Sequence, residues 1–458
     1  MEQVQLPYIL LMLLLLCGCN INQAECTPTA SVHVLPHSHC DPGYGKTFED
    51  YYNTDVHSII NSVLQALVQD KNKTFVWEEV SFLSRWWQDA SEDQKSQMKQ
   101  LAASGQLEFI GGGWVMHDEA DTSVYGILNQ ISLGLDFLEG NLGVRPSVEW
   151  HIDTFGHSNF MPELYLLLGY KAVIINRIPD PIKQQMKIDK GLEFQWRSPF
   201  SNRTIFTHVM DSHYTTPPIS GNTIEEKANS FVNISKVRLE WYKTQHLLIP
   251  FGDDLTFTDA EKLFTEMDEI LAYINAHSEE LDLTAKYSTL SEYTEAVMNS
   301  GVEFETRSND FFPYIACYAC GDPQCSGPGG LTVPCGSHIA GSDSYWSGFY
   351  TSKPAQKLLV REQEASLKNL EVLNSYFPYL YHNIRDVLEL NRNTSALLQH
   401  HDAITGTSYP PCYADYNMRL QRALGLGSNS AGNLKVFPRY RTYNLIIMSV
   451  HRYLNTRR

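Results

Sequence analysis

The chain has 458 residues and a mass of 52.1 kDa, more than one minimal core requires, so two or three domains are expected. An apolar share of 43% with 12% aromatics excludes a disordered chain. A formal charge of -17 excludes a nucleic-acid groove, which needs clustered Lys and Arg.

Leu6 to Leu16 form an almost unbroken apolar run, followed by small and polar residues through Ala24. The run falls short of the roughly 20 residues a bilayer span needs. It reads as the core of a secretory signal peptide over residues 1–24, although no Lys or Arg precedes it. No membrane anchor is expected. Sequons at Asn72, Asn202, Asn233 and Asn393 agree with entry into the secretory pathway. Cys17 and Cys19 belong to the leader. An odd number of cysteines remains, so an oxidising lumen leaves at least one thiol free or intermolecular.

Past the leader, Ser31 to Pro36 reads as a strand that ends in a polar loop at His37 to Gly43. Val56, Ile59, Ile60, Val63, Leu64 and Leu67 recur at helical spacing. Lys73 to Trp77 reads as a strand, and Glu92 to Ala103 as a helix capped by Ser91 and stopped by Gly105. Leu107–Ile110, Ser147–Ile152, Ala172–Ile175 and Leu247–Pro250 follow as strands; a helix from Ala260 to Ile274 lies behind the last. Strands alternating with helices predict an α/β fold with a largely parallel sheet. Polar motifs at the strand ends suit a closed or nearly closed barrel, with an open doubly wound sheet as the alternative.

Residues 311–341 break the pattern with four cysteines spaced C-x2-C-x4-C-x9-C amid Gly, Pro and Ser. Disulfides are expected there, a four-thiolate zinc knuckle being the other reading. From Lys353 the chain turns helical, with a second helix over Ile384 to His401 and a loose Gly/Ser/Asn stretch from Gly425 to Asn433. The expected division is a leader to 24, a barrel over 25–310, the Cys-rich insertion over 311–341, a partial helical bundle over 342–424 and a tail over 425–458.

Four constellations carry chemistry. In His37-Ser-His39-Cys-Asp41, residues two apart on an extended segment share a side, so His39 and Asp41 can converge on one cation. Packed or surface histidines are the plain alternative. Asp153, leaving the strand at Trp150, can ligate a metal, attack carbon or cap the next helix. Asp253 and Asp254 form an adjacent carboxylate pair, of which one member can keep its proton as a general acid; a simple aspartate turn is the alternative. Gln399-His400-His401-Asp402 offers a further imidazole from the helical region, or a helix C-terminal cap.

These stretches resemble the catalytic part of class II alpha-mannosidases, glycoside hydrolase family 38, nearest its epididymis-specific or lysosomal-type branch. The resemblance lies in PHSHCDPGY at 36–44, FIGGGWVMHDEA at 109–120, WHIDTFGHS at 150–158, INRI at 175–178, FTHVMD at 206–211, YWSGFYTS at 345–352 and LQHHDAITGT at 398–407. It implies a seven-stranded beta/alpha barrel followed by part of a three-helix bundle, without the family's C-terminal beta domains. It implies one zinc ion (Zn2+) held by His39, Asp41, Asp153 and His401, with Asp153 as nucleophile and Asp254 as acid/base. Arg177, Tyr214, Asp253 and Asp402 would hold sugar or neighbouring ligands, and Tyr44 stands where the family usually has a sugar-stacking tryptophan. The implied reaction is retaining exo-hydrolysis of terminal alpha-mannose from N-glycans or free oligosaccharides, with nucleophile and acid roughly 5 Å apart. The alternative is a mannose-binding chain with weak or no turnover. A lysosomal or secreted location is implied, and a homodimer is allowed.

Overall fold

The computed structural model describes residues 30–317, 326–327, 331–332, 343–376 and 384–432. The leader, Cys26, Cys320, Cys325, Cys335 and the tail beyond 432 lie outside the described residues, as does the side chain of Cys317. No helix among the described residues is long and apolar enough to cross a membrane.

Strand and helix alternate from β1 (Ala30–Pro36) onward. Helix α1 (His57–Gln69) buries Ile59, Ile60, Val63, Leu64 and Leu67, the face its spacing predicts. It is followed by β2 (Phe75–Trp77), α2 (Val80–Asp89) and α3 (Glu92–Ser104). Ser91 and Gln94 close a reciprocal capping box at the start of α3, and Gly105 ends it at φ 78°. Next come β3 (Leu107–Phe109), α4 (Val124–Leu142), β4 (Val148–His151), α5 (Met161–Leu168), β5 (Ala172–Ile175) and α6 (Asp180–Ile188). Strands β6 (Glu193–Arg197) and β7 (Thr204–Val209) form an antiparallel pair. Helix α7 (Ile224–Leu239), β8 (His246–Phe251), α8 (Ala260–Ala276), β9 (Leu283–Tyr287) and α9 (Leu290–Met298) complete the alternation.

The ladders are shorter than a single closed ring. Strands β8-β1-β9 form one parallel sheet and β2-β3 another; β7, β5 and β4 run parallel in a third, which β6 joins antiparallel. Single links connect them: the bridge His37↔Val76, Gly111 N–H to the Val148 carbonyl at 2.9 Å, and Thr216 N–H to the Gly252 carbonyl at 2.8 Å. Alternate residues face opposite ways and both faces are covered. Val173, Ile175, Leu247 and Ile249 join the large core against the helices, whereas Ala172, Ile174, Leu248, Leu35 and Val148 join an inner cluster with Trp150 and Tyr214.

The later region packs three helices on one another: α10 (Pro354–Tyr376), α11 (Ile384–Leu397) and α12 (Pro410–Gly432). Two expectations change here. Helix α11 ends at Leu397 rather than His401, so His400 and His401 sit in the following turn. The stretch from Gly425, expected to be loose, stays helical to Gly432. Gly427 faces α10, where an added Cβ would press on Ser366 Oγ at 3.0 Å, so this glycine serves close helix approach. The early part of the Cys-rich segment pairs antiparallel with residues just past its end, Ile315–Cys317 with Asp343–Tyr345.

Candidate active site

Strand ends and one helix-to-helix turn bring the sequence-predicted residues together. His39 and Asp41 follow β1, Asp153 follows β4, Asp254 follows β8, and His401 returns from beyond α11. That return is tied to the loop between β3 and α4 by Asp118 N–H to the Gln399 carbonyl at 2.9 Å and His401 N–H to the Met116 carbonyl at 3.2 Å. Ligand atoms of His39, Asp41, Asp153 and His401 all lie within 4.8 Å of one another. His39 Nε2 is 3.0 Å from Asp41 Oδ1 and 3.7 Å from Asp153 Oδ2. His401 Nε2 is 3.2 Å from each of the same two oxygens.

The chemistry of this donor set fits a divalent ion. His401 Nδ1 lies 2.9 Å from the Met116 carbonyl, which can only accept, so Nδ1 carries a proton and donates it. Burial opposes charge on His401, but Asp153 and Asp41 hold its pKa well above the usual range; its Nε2 faces two carboxylates, an arrangement that calls for positive charge. The electrostatics agree. Burial opposes charge on His39, yet Asp41, then Asp153 and Glu79, push its pKa up to about 10. Burial likewise opposes ionisation of Asp41, but His39 and His401 hold its carboxyl well below the usual range.

Asp153 is fixed from its other side. Arg177 Nε donates to Asp153 Oδ1 at 2.6 Å and Nη2 reaches the same oxygen. The guanidinium lies 5.5, 5.9 and 5.6 Å from the ring centres of Phe155, Tyr314 and Trp346. Burial works against it, but Arg177 and then His401 keep Asp153 ionised. Tyr214 donates to Asp254 Oδ1 at 2.9 Å and packs its ring 5.0 Å from His39. Residue Asp254 is open to solvent, and the carboxylates of Asp41 and Asp153 act on its carboxyl. Surrounding protein, then Asp41 and Asp153, push its pKa up to about 6 against His39 and the Tyr214 hydrogen bond.

The remaining candidates are less alike. Tyr44 exposes 39% of its surface and sets its ring 5.3 Å from Tyr409, while its carbonyl accepts from Cys412 Sγ at 3.0 Å. Asp402 is buried, with Oδ2 3.5 Å from His400 Nε2 and 3.8 Å from His401 Nε2. Asp253 is exposed, and its Oδ1 accepts the Asp254 N–H at 2.8 Å, so its visible work is to shape the turn. His37, the other imidazole of the first motif, leaves the cluster and binds the Tyr214 carbonyl at 2.8 Å. Cys40 is fully buried, and burial pushes its thiol well up. Among the sequons, Asn72, Asn202 and Asn233 are exposed, whereas Asn393 is half-buried with its Oδ1 enclosed.

The Met116 carbonyl was not legible in the sequence, because a backbone acceptor leaves no residue signature. A second buried knot also went unread: Glu119 Oε1 accepts from Nδ1 of both His151 and His157 at 2.9 Å, and Oε2 from Ser158 N–H at 2.7 Å. These bonds account for it as a brace between strand ends. Its acid-and-histidine pattern lies within the HDE and WHIDTFGHS stretches and was the available signal.

Residues 29–316 match the model of the glycosyl hydrolases family 38 N-terminal domain, and residues 344–433 that of the alpha mannosidase middle domain. Alpha-mannosidase B of Dictyostelium discoideum is 34% identical over 460 residues, a match covering 89% of this chain and 43% of that protein. Alpha-mannosidase 2 of Drosophila melanogaster is 32% identical over 437 residues, covering 86% of this chain and 37% of its own. The crystal structure of an alpha-mannosidase from Enterococcus faecalis V583 superposes with a TM-score of 0.68 at 18% identity, over 90% of this chain and 44% of that one. That last likeness speaks for the fold. The chain spans less than half the length of each.

Proposed function

The chain belongs to glycosyl hydrolase family 38, and from that premise we propose that it is a zinc-dependent, retaining exo-alpha-mannosidase acting on terminal mannose of N-glycans or free oligosaccharides. The observation that carries the reading is the convergence of His39, Asp41, Asp153 and His401 within 4.8 Å, beside an acid-bearing turn at Asp254. The arcs of β1, β2, β3, β4, β5, β7 and β8 make one seven-stranded barrel in this account, and the single links between them support it.

The four side chains would hold the ion, with the mixed nitrogen and oxygen donors zinc accepts. A zinc bound there would supply positive charge to hydroxyls of the terminal mannose. Asp153 is the nucleophile: Arg177 on Oδ1 and the imidazoles beside Oδ2 prevent its carboxylate from turning, so its aim is set before substrate arrives. It forms a bond to the anomeric carbon as the glycosidic bond breaks. The departing oxygen takes a proton from Asp254, and the aglycone leaves as an alcohol. Asp254 then removes a proton from water, whose oxygen attacks the same carbon and frees Asp153, so configuration is retained. Tyr214 keeps Asp254 in place through Oδ1. The open ring of Tyr44 stacks on the sugar, and Asp402, with Asp253 at the rim, bounds the hydroxyl side. Three exposed sequons, and a relative from Dictyostelium discoideum called lysosomal alpha-mannosidase, support a secretory-pathway location.

The test is release of the phenol from an aryl alpha-mannoside by the zinc-loaded chain. Turnover that disappears in Asp153→Ala is expected; a zinc-loaded native chain without turnover refutes the enzymatic reading.

A further inference from the structure

We propose that Glu79 is the positioning residue for His39: its carboxylate accepts a hydrogen bond from Nδ1–H and so leaves Nε2 bare toward the divalent ion. This rests on the metal-site reading above. The two imidazoles of that site are unequal. His401 has its Nδ1 on the Met116 carbonyl at 2.9 Å. Nδ1 of His39 is enclosed without a hydrogen-bond partner, and so are both carboxylate oxygens of Glu79. The two groups face each other at 3.7 Å, His39 Nδ1 to Glu79 Oε1, with each side chain only 1% exposed. Orphaned buried donors and acceptors are rare in folded proteins, and a facing pair of opposite type is one small ring rotation from a bond.

Local structure gives Glu79 no other task. It stands at the N-cap of α2, yet its side chain makes no capping bond. Ser91, Ser123, Thr223 and Thr289, at the same position of other helices, all accept a backbone N–H. A glutamate that declines the cap and is buried toward an imidazole is explained by that imidazole. A carboxylate on the far nitrogen fixes the ring's tautomer and orientation and makes the near nitrogen a stronger donor to a cation. The rival reading is direct ligation, since ligand atoms of His39, Glu78 and Glu79 also lie within 4.8 Å of one another.

The experiment compares the native chain with Glu79→Gln and Glu79→Met by competition against a chromogenic zinc chelator and by thermal unfolding without metal. Glu79→Met should weaken zinc about 10- to 100-fold, while its metal-free form still unfolds in one cooperative transition, which shows that the loss is not a loss of fold. Glu79→Gln keeps an acceptor but loses the charge, and should weaken zinc several-fold, less than Glu79→Met does. Native-like zinc affinity in Glu79→Met overturns the proposal. So does loss of a second bound zinc in that variant, which would make Glu79 a ligand. If Glu79→Met does not fold, Glu79→Gln decides: a several-fold loss of affinity supports the proposal and an unchanged affinity overturns it. A native chain that binds no zinc removes the site reading itself, and this inference with it.

Discussion

Replacing Arg177 by Met should destabilise the metal-free chain by about 3 kcal/mol. Arg177 contacts Asp153 Oδ1 through two nitrogens, and the side chains are 19% and 8% exposed. Removing one partner of a buried pair costs roughly 3–5 kcal/mol, because the other charge is left without compensation. The lower end applies here, since the guanidinium keeps some water and Met retains contact with Phe155, Tyr314 and Trp346. Asp153→Asn should cost about as much by stranding Arg177. The double variant removes both charges and should cost no more than either single change, a coupling of about 3 kcal/mol. Zinc separates the two singles. A divalent ion gives Asp153 a second counter-charge, so the penalty of Arg177→Met shrinks when zinc is added. The penalty of Asp153→Asn grows, because a ligand is lost as well. Urea unfolding of the four proteins, followed by tryptophan fluorescence with and without zinc, reads all of this. Additive single costs, or an Arg177→Met penalty that zinc leaves unchanged, would refute the reasoning.

Gly43→Ala should loosen α12 from the site loop by about 1–3 kcal/mol, since φ is 113° and the new Cβ meets the Tyr416 phenol that binds the Pro42 and Gly43 carbonyls; limited proteolysis should cut residues 410–432 faster. His33 is neutral in the fold: burial first, then His246 and Lys286, lowers its pKa from 6.5 to about 4. The unfolded chain therefore binds this proton first, and stability falls as pH drops from 6.5 through 4 by roughly 3 kcal/mol in all. His33→Gln should remove that component from a pH series of urea midpoints. Tyr44→Ala should lower kcat/KM on an aryl alpha-mannoside by up to about tenfold, the worth of one aromatic face.

How far the molecule was legible follows the physics of each signal. Strands β1 and β5 and the capped helix α3 carried unbroken apolar runs or end residues, and the expected boundaries agree within a residue or so. Helix α4 did not stand out, because Gly126, Gly134 and Gly140 dilute its pattern. Gly134 is there for packing: a Cβ would meet the Gly112 carbonyl. The antiparallel β6–β7 pair was hidden within an otherwise parallel alternation. At the site, His39, Asp41 and Asp153 were visible as polar residues leaving strands. Spacing could not decide between His400 and His401, because the choice rests on the Met116 carbonyl, distant in sequence. Glu79 carried no motif at all; only the fold brings it to His39.

The proposed site places one ion among four side chains drawn from the strand ends and the helical region. Diffraction from zinc-soaked crystals, with anomalous data at the zinc edge, tests it directly. The predicted result is a single peak about 2.0–2.2 Å from a nitrogen each of His39 and His401 and an oxygen each of Asp41 and Asp153. A peak among Glu119, His151 and His157 instead, or none beside Asp153, would contradict it.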